Sequence, residues 1–108
     1  MISFEEFKKV ELAIGKILSA ERISGSEKLL KLLVDFGEEK RQIIAGIGKS
    51  YEPNYLVEKK LIFVINLEPR SLMGLESQGM VLAALDQAGQ PIILTPEREG
   101  VNPGTRLS

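Results

Sequence analysis

From Val10 the apolar residues recur at every second position, Val10, Leu12 and Ile14 alternating with Glu11 and Ala13. A period of two sets one side of an extended chain against a core and the other toward solvent, so the segment reads as a half-buried β-strand. At Gly15 the alternation slips, and the apolar phase resumes at Ile17 rather than at Lys16. A one-residue slip at a glycine inside a strand predicts a β-bulge at that glycine. A bulge bends and coils the strand, and a coiled first strand suits a small barrel.

The flanking segments fit the same plan. Ser3 followed three residues later by Glu6 forms a capping-box pattern, which predicts a short helix over Phe4–Lys9. Ser24-Gly25-Ser26-Glu27 is a loop by composition. Leu30, Leu32, Val34 and Phe36 share one face of a second strand, and Arg41–Ala45 returns after the polar turn Gly37-Glu38-Glu39, so the two form a hairpin. Gly46-Ile47-Gly48 stops it, and Pro53 sits where a helical turn begins in Glu52–Val57. Leu61–Leu67 is almost wholly apolar and reads as a strand buried on both faces. Met80–Leu85 is a fifth strand, Pro91–Leu94 a short sixth, and residues 95–108, with Pro96, Gly100, Pro103 and Gly104, an extended tail. An all-β, five-stranded Greek-key barrel of the OB type buries the edges of so many short strands. It accommodates the short N-terminal helix, the helical connection between strands three and four, and the tail. An SH3-like barrel is the alternative, although the connection over 46–60 is long for it. With 108 residues, no repeat and no Pro/Gly/Ser linker, the chain is a single domain over 1–108.

Composition narrows the chemistry. There is no His, no Cys and no Trp. Zinc, iron–sulfur and haem sites lose their usual ligands, and Ser-His-Asp and Cys-His catalysis are excluded. Neighbouring carboxylates such as Glu5/Glu6 and Glu38/Glu39 lie in polar ends and point apart, whereas a glycosidase needs two facing across a cleft. Gly46-Ile-Gly48-Lys49-Ser50 looks like the end of a P-loop. Its first glycine is replaced by Ile43, and Tyr51-Glu52-Pro53 interrupts the helix that should follow. A non-catalytic chain without a cofactor or metal is therefore expected. Apolar runs such as Leu61–Ile65 are far below the roughly 20 residues that span a bilayer. The first residues lack the basic start of a signal peptide, so no membrane and a cytoplasmic location are expected.

Fourteen basic against fifteen acidic residues give a net charge of −1, which speaks against a general polyanion binder. The cations are nevertheless placed. Lys31 falls on the outer face of its strand with Lys28 in the loop before it, and Lys49 and Arg70 follow strands three and four. Strand ends and loops are where OB barrels hold oligonucleotides. From charge alone a solvated surface of mixed sign is the simpler reading.

The segment Asn66-Leu67-Glu68-Pro69-Arg70-Ser71-Leu72-Met73-Gly74-Leu75-Glu76-Ser77-Gln78-Gly79-Met80 carries more. Read physically, a buried strand ends in Asn66, a turn led by Pro69 presents Arg70, and Ser77-Gln78-Gly79 leads into the next strand. Leu72, Met73 and Leu75 need cover from the barrel or from a partner. Asn66, Leu67, Pro69, Arg70, Gly74, Ser77, Gly79 and Met80 match the motif of the tRNA-binding domain that occurs free-standing or as the C-terminal domain or beta subunit of methionyl-tRNA synthetase. The chain resembles that family over nearly its whole length. Phe7–Leu12, Gly15–Ile17, Lys28-Leu29, Arg41–Ile47, Leu94–Pro96 and Pro103-Gly104 resemble its other conserved stretches.

The resemblance implies an OB fold, a homodimer, and tRNA binding that follows tRNA shape rather than sequence. It implies tRNA contacts at Asn66, Arg70, Ser77 and Met80, with a methionyl-tRNA synthetase as a partner. Arg70 would fork onto phosphate, Asn66 and Ser77 would reach sugar or base edges, and Met80 would be an adaptable apolar contact. Lys28, Lys31 and Lys49 would complete the surface. The chain departs from the family at Ser71, commonly lysine, at Glu68, commonly lysine or alanine, and in the loop Ile23–Leu29. Each change removes a cation or a donor, so the same site with weaker affinity is expected. A secretion-chaperone branch shares the fold and the Asn…Pro-Arg part but not Gly-Met, which makes a protein-docking module the alternative function. The apolar, Pro/Gly-punctuated tail (Val101, Pro103, Leu107) and the short edge strands are hard to satisfy in a monomer this small, which supports the dimer.

Overall fold

The computed structural model describes every residue from Met1 to Ser108. Helix α1 spans Phe4–Phe7, two residues shorter at its C-terminal side than expected. Its capping box forms as read, with Glu6 N donating to Ser3 Oγ at 3.1 Å and Ser3 N to Glu6 Oε1 at 3.2 Å. The strands are β1 (Leu12–Arg22), β2 (Leu30–Asp35), β3 (Lys40–Ala45), β4 (Lys60–Val64), β5 (Arg70–Leu72), β6 (Leu75–Ser77), β7 (Met80–Val81), β8 (Ala83–Leu85) and β9 (Pro91–Ile93), with helix α2 (Pro53–Leu56) between β3 and β4. Pro53 starts α2, and Leu56 anchors it in the core.

The main sheet is antiparallel in the order β3-β2-β1-β4-β7. The chain just before β7 returns to the free edge of β3: Gln78 N donates to Gln42 O at 2.8 Å. The sheet thus curls into the nearly closed five-stranded OB barrel expected. Leu30, Leu32, Val34 and Phe36 point inward together, as their alternation requires, and meet Ala13, Ile17, Ile43, Ala45, Leu61 and Phe63.

The first strand requires a correction. No bulge lies at Gly15, because β1 pairs without interruption with β4 from Leu12 to Lys16. The register shift falls between Ile17 and Ser19, against β2. Gly15 instead continues the core-facing series Ala13–Gly15–Ile17, where it makes room for large neighbours. A Cβ there would sit 2.7 Å from Phe36 Cε1, 2.9 Å from Phe63 Cε1 and closer still to Val34 Cγ1. Phe36 and Phe63 pack edge to face over the space it leaves, their centroids 5.4 Å apart.

Leu12 and Ile14 lie on the opposite face, and the tail runs along that edge. Gly104 N donates to Ile14 O at 2.7 Å, Ile14 N to Thr105 O at 2.8 Å and Leu107 N to Leu12 O at 3.0 Å. Arg106 bridges Ala13 and pairs with Glu11 at 2.8 Å. The tail's backbone is therefore partnered within one chain. Gly104, at φ +89°, passes so close to the Phe36 carbonyl that no side chain fits.

Three further boundaries differ. The buried strand stops at Val64, and Asn66 and Leu67 are exposed. The fifth strand divides into β7 and β8, because the chain leaves β4 after Leu82 to form a two-stranded ribbon with β9. The stretch read as a loop before Met80 contains the β5–β6 hairpin. Glu58, before β4, is held at φ +76°. Its carboxylate lies 2.8 Å from Lys16 Nζ, and that hydrogen bond, with the carboxylate's charge, raises the lysine pKa.

Candidate nucleic-acid interface

The segment between β4 and β7 is built on a pinned base. The Arg41 guanidinium, over the Phe36 ring, donates to both Ile65 O and Gln78 O and so ties the two ends of the segment together. Gln42 N donates to Gln78 Oε1 at 3.0 Å, and Gln42 Nε2 to Glu76 O at 2.9 Å. From this base β5 and β6 project as a hairpin, with Arg70 opposite Ser77 and Leu72 opposite Leu75. Met73 and Gly74 form the two-residue tip, both with positive φ (51° and 77°), the signature of a type I′ turn. Such a turn matches the twist of the flanking strands and fixes their register.

The sequence-predicted residues divide by what their side chains touch. Ser77 is 4% exposed. Its Oγ accepts from Ile44 N at 2.9 Å and donates to Gly79 O at 3.0 Å, so the hydroxyl is spent on closing the barrel. Asn66 is exposed, but its amide is a brace. Oδ1 accepts from Glu11 N at 2.8 Å and Nδ2 donates to Lys9 O at 2.6 Å, which fixes the chain after α1 to the end of β4. Met80 is 39% exposed on β7, opposite Val64. Arg70 is exposed at the base of the hairpin.

Among the lysines, Lys31 lies on the outer face with Glu21 Oε1 at 2.7 Å, so its charge is already met. Arg22 is likewise already partnered, by Gly48 O and Glu52. Lys28, Lys49 and Arg70 take part in none of the chain's ion pairs. Lys28 and Lys49 stand on two loops stitched together by Gly48, whose N–H donates to Lys28 O at 2.7 Å. A Cβ at Gly48 would lie 2.7 Å from Glu27 O, so Gly46-Ile47-Gly48 serves close backbone approach rather than phosphate cradling.

The hairpin tip reaches the first of these loops: the Cβ that Gly25 lacks would lie 3.5 Å from Met73 Cε. The fold thus joins Lys28 and Lys49 on adjoining loops and runs the hairpin from its Arg70 base to that corner. It leaves Asn66 and Met80 beside the end of β4, and Ser77 inside. Sequence reasoning missed Arg41 and Met73. Nothing local distinguishes a pinning arginine in a strand from a surface one, and the turn type at Met73 was masked because its first position is not Asn, Asp or Gly.

The family model described as "Putative tRNA binding domain" matches residues 12–106. The methionine–tRNA ligase of Archaeoglobus fulgidus is 47% identical over 106 residues, covering 98% of this chain and 16% of the ligase. The chain therefore spans about one sixth of the length of that curated relative. Among solved structures, a MetRS-related protein from Pyrococcus horikoshii superposes with a TM-score of 0.94 at 39% identity, covering 100% of this chain and 98% of the other. The chaperone CsaA from Bacillus anthracis superposes with a TM-score of 0.90 at 33% identity, covering 100% and 99%.

Proposed function

This chain belongs to the tRNA-binding domain family, and from that premise we propose that it is a non-catalytic module that binds tRNA as a homodimer. The observation that carries the reading is the pinned hairpin, whose Arg70 is free of any carboxylate and which runs to a corner bearing Lys28 and Lys49. These groups are directed at phosphate, which marks the shape of a folded RNA and not its sequence. The fixed spacing of cations on a rigid barrel selects a matching spacing of phosphates, so structured tRNA is preferred over single-stranded RNA. Lys31 joins by exchanging Glu21 for a phosphate, since an exposed ion pair contributes little. Met80 meets the RNA beside the end of β4, Asn66 acts by bracing that end, and Ser77 acts by holding Arg70 in place across the hairpin.

Arg70→Ala is expected to lower tRNA affinity about tenfold, the equivalent of 1.4 kcal/mol. The salt dependence of log affinity should become shallower by about 0.7–0.9, the value of one phosphate contact. Gel-shift titration with total tRNA at two salt concentrations reads both; unchanged affinity with the fold intact removes Arg70 from the site.

A dimer doubles the cationic surface of a chain whose net charge is −1, and raises the effective concentration of the second face. It also gives a destination to the exposed apolar residues around α1, among them Ile2, Phe4, Phe7 and Val10. Light scattering should return twice the mass of the chain; a monomer at micromolar concentration contradicts this part of the proposal.

The module's role is auxiliary, supplying tRNA affinity to a methionyl-tRNA synthetase in the cytoplasm as a beta subunit or appended domain. Its likeness to one sixth of a methionine–tRNA ligase supports this. The likeness to a chaperone supports a second reading, in which the exposed Leu85, Ile92 and Leu94 around the β8–β9 ribbon dock a protein client. Retention of unfolded protein and no RNA from a nuclease-treated lysate would favour it.

A further inference from the structure

Only two non-glycine residues adopt positive φ, Glu58 and Met73. Glu58 has a structural return for it: its N–H donates to Ile17 O at 2.7 Å, and its carboxylate holds Lys16. Met73 has no comparable return. It occupies the first central position of a type I′ turn, where Asn, Asp or Gly relieves the backbone and methionine does not. Its side chain is 55% exposed, in a hairpin whose other apolar residues, Leu72 and Leu75, cover one another. Its terminal methyl lies against Gly25, in the loop that leads on to Lys28, with Arg70 three residues away at the hairpin base. An apolar, flexible and polarisable side chain is thus held by an unfavourable turn position at the edge of a cationic surface.

Resting on the tRNA-binding reading above, we infer that Met73 is a base-contacting residue. The cations hold phosphates, and the thioether lies against the face of an unpaired nucleobase. Every base offers such a face, so this contact adds affinity for RNA with accessible bases without reading a sequence. It extends the site from the hairpin base to its tip and gives the protein a means to prefer tRNA, with its loops, over a continuous duplex.

The test separates this role from a structural one because the two predict opposite changes. Met73→Asn places the favoured Asn-Gly pair in the turn, so the thermal midpoint should stay the same or rise. Affinity for tRNA should nevertheless fall about fivefold, with the salt slope unchanged because no phosphate contact is lost. Affinity for a blunt RNA duplex of similar length should not change. Met73→Leu, which keeps an apolar side chain, should restore most of the tRNA affinity. Equal tRNA affinity of wild type and Met73→Asn overturns the inference, as does a changed salt slope, which would mean that the cations had moved. If the wild-type chain binds no tRNA, the proposed function itself fails and this inference falls with it.

Discussion

Gly15→Ala is expected to destabilise the barrel by about 3 kcal/mol, at the upper end of what overpacking a core costs. The added methyl group would enter between Phe36 and Phe63, the aromatic pair at the centre, and against Val34. None of the three can retreat cheaply. Val34 and Phe63 are fully buried, and Phe36 is fixed between the core and the tail that passes over its carbonyl. The backbone of β1 cannot yield either, since it is paired with β4 through Gly15↔Leu61. A thermal melt reads the effect directly. At roughly 4–8 °C per kcal/mol for a domain of this size, the midpoint should fall by about 12–24 °C. A fall of less than about 4 °C would mean that the space at Gly15 is not filled as described.

Ser77→Ala should cost about 2 kcal/mol, through a different mechanism. Removing Oγ strands the N–H of Ile44, a residue that is 6% exposed, and a buried donor without a partner carries its full desolvation penalty. The same substitution frees Gly79 O and loosens the chain that closes the barrel against β3. The consequence for binding is indirect. The folded Ser77→Ala protein should lose less tRNA affinity than Arg70→Ala does, while its melting midpoint drops by about 8–16 °C. A variant with wild-type stability and strongly weakened binding would instead make the hydroxyl a direct contact. Chemical denaturation alongside gel-shift titration distinguishes the two.

The contrast between these residues shows how far the sequence was readable. The β2–β3 hairpin was legible because each residue's fate follows from its immediate neighbours. Leu30, Leu32 and Val34 alternate with residues that face out, and a polar turn sends the chain back. The face of β1 was not legible. Its core side carries the small residues Ala13 and Gly15, while the larger Leu12 and Ile14 face the other way and are met by the tail. Local alternation therefore missed the core side, and the segment that pairs with the backbone of Leu12 and Ile14 lies about ninety residues further along. The candidate site was legible as a segment but not side chain by side chain. Asn66 and Ser77 carry polar groups suited to RNA, yet both direct them to their own backbone. Whether a polar group meets a ligand or the fold depends on donors supplied by distant strands, here Glu11 N and Ile44 N. Arg70 pairs across the hairpin with Ser77 and, although Glu76 lies on the same opposing strand, takes part in no ion pair.

The strap that residues 104–107 form along β1 also bears on the order in which the molecule assembles. The main hairpin pairs residues close in sequence, and β1 with β4 encloses an intermediate loop, whereas Ala13 and Arg106 lie at nearly opposite ends of the chain. Closing so long a loop gains little until the barrel already holds β1 in place. The strap is therefore expected to form late in folding, after the rate-limiting barrier, so that removing residues 104–107 should speed unfolding more than it slows refolding, as stopped-flow kinetics would read. Interactions formed after that barrier govern how slowly the native state opens, not how fast it is reached. In that case residues 104–107 would act as a latch on lifetime, while the barrel beneath them sets the speed of folding.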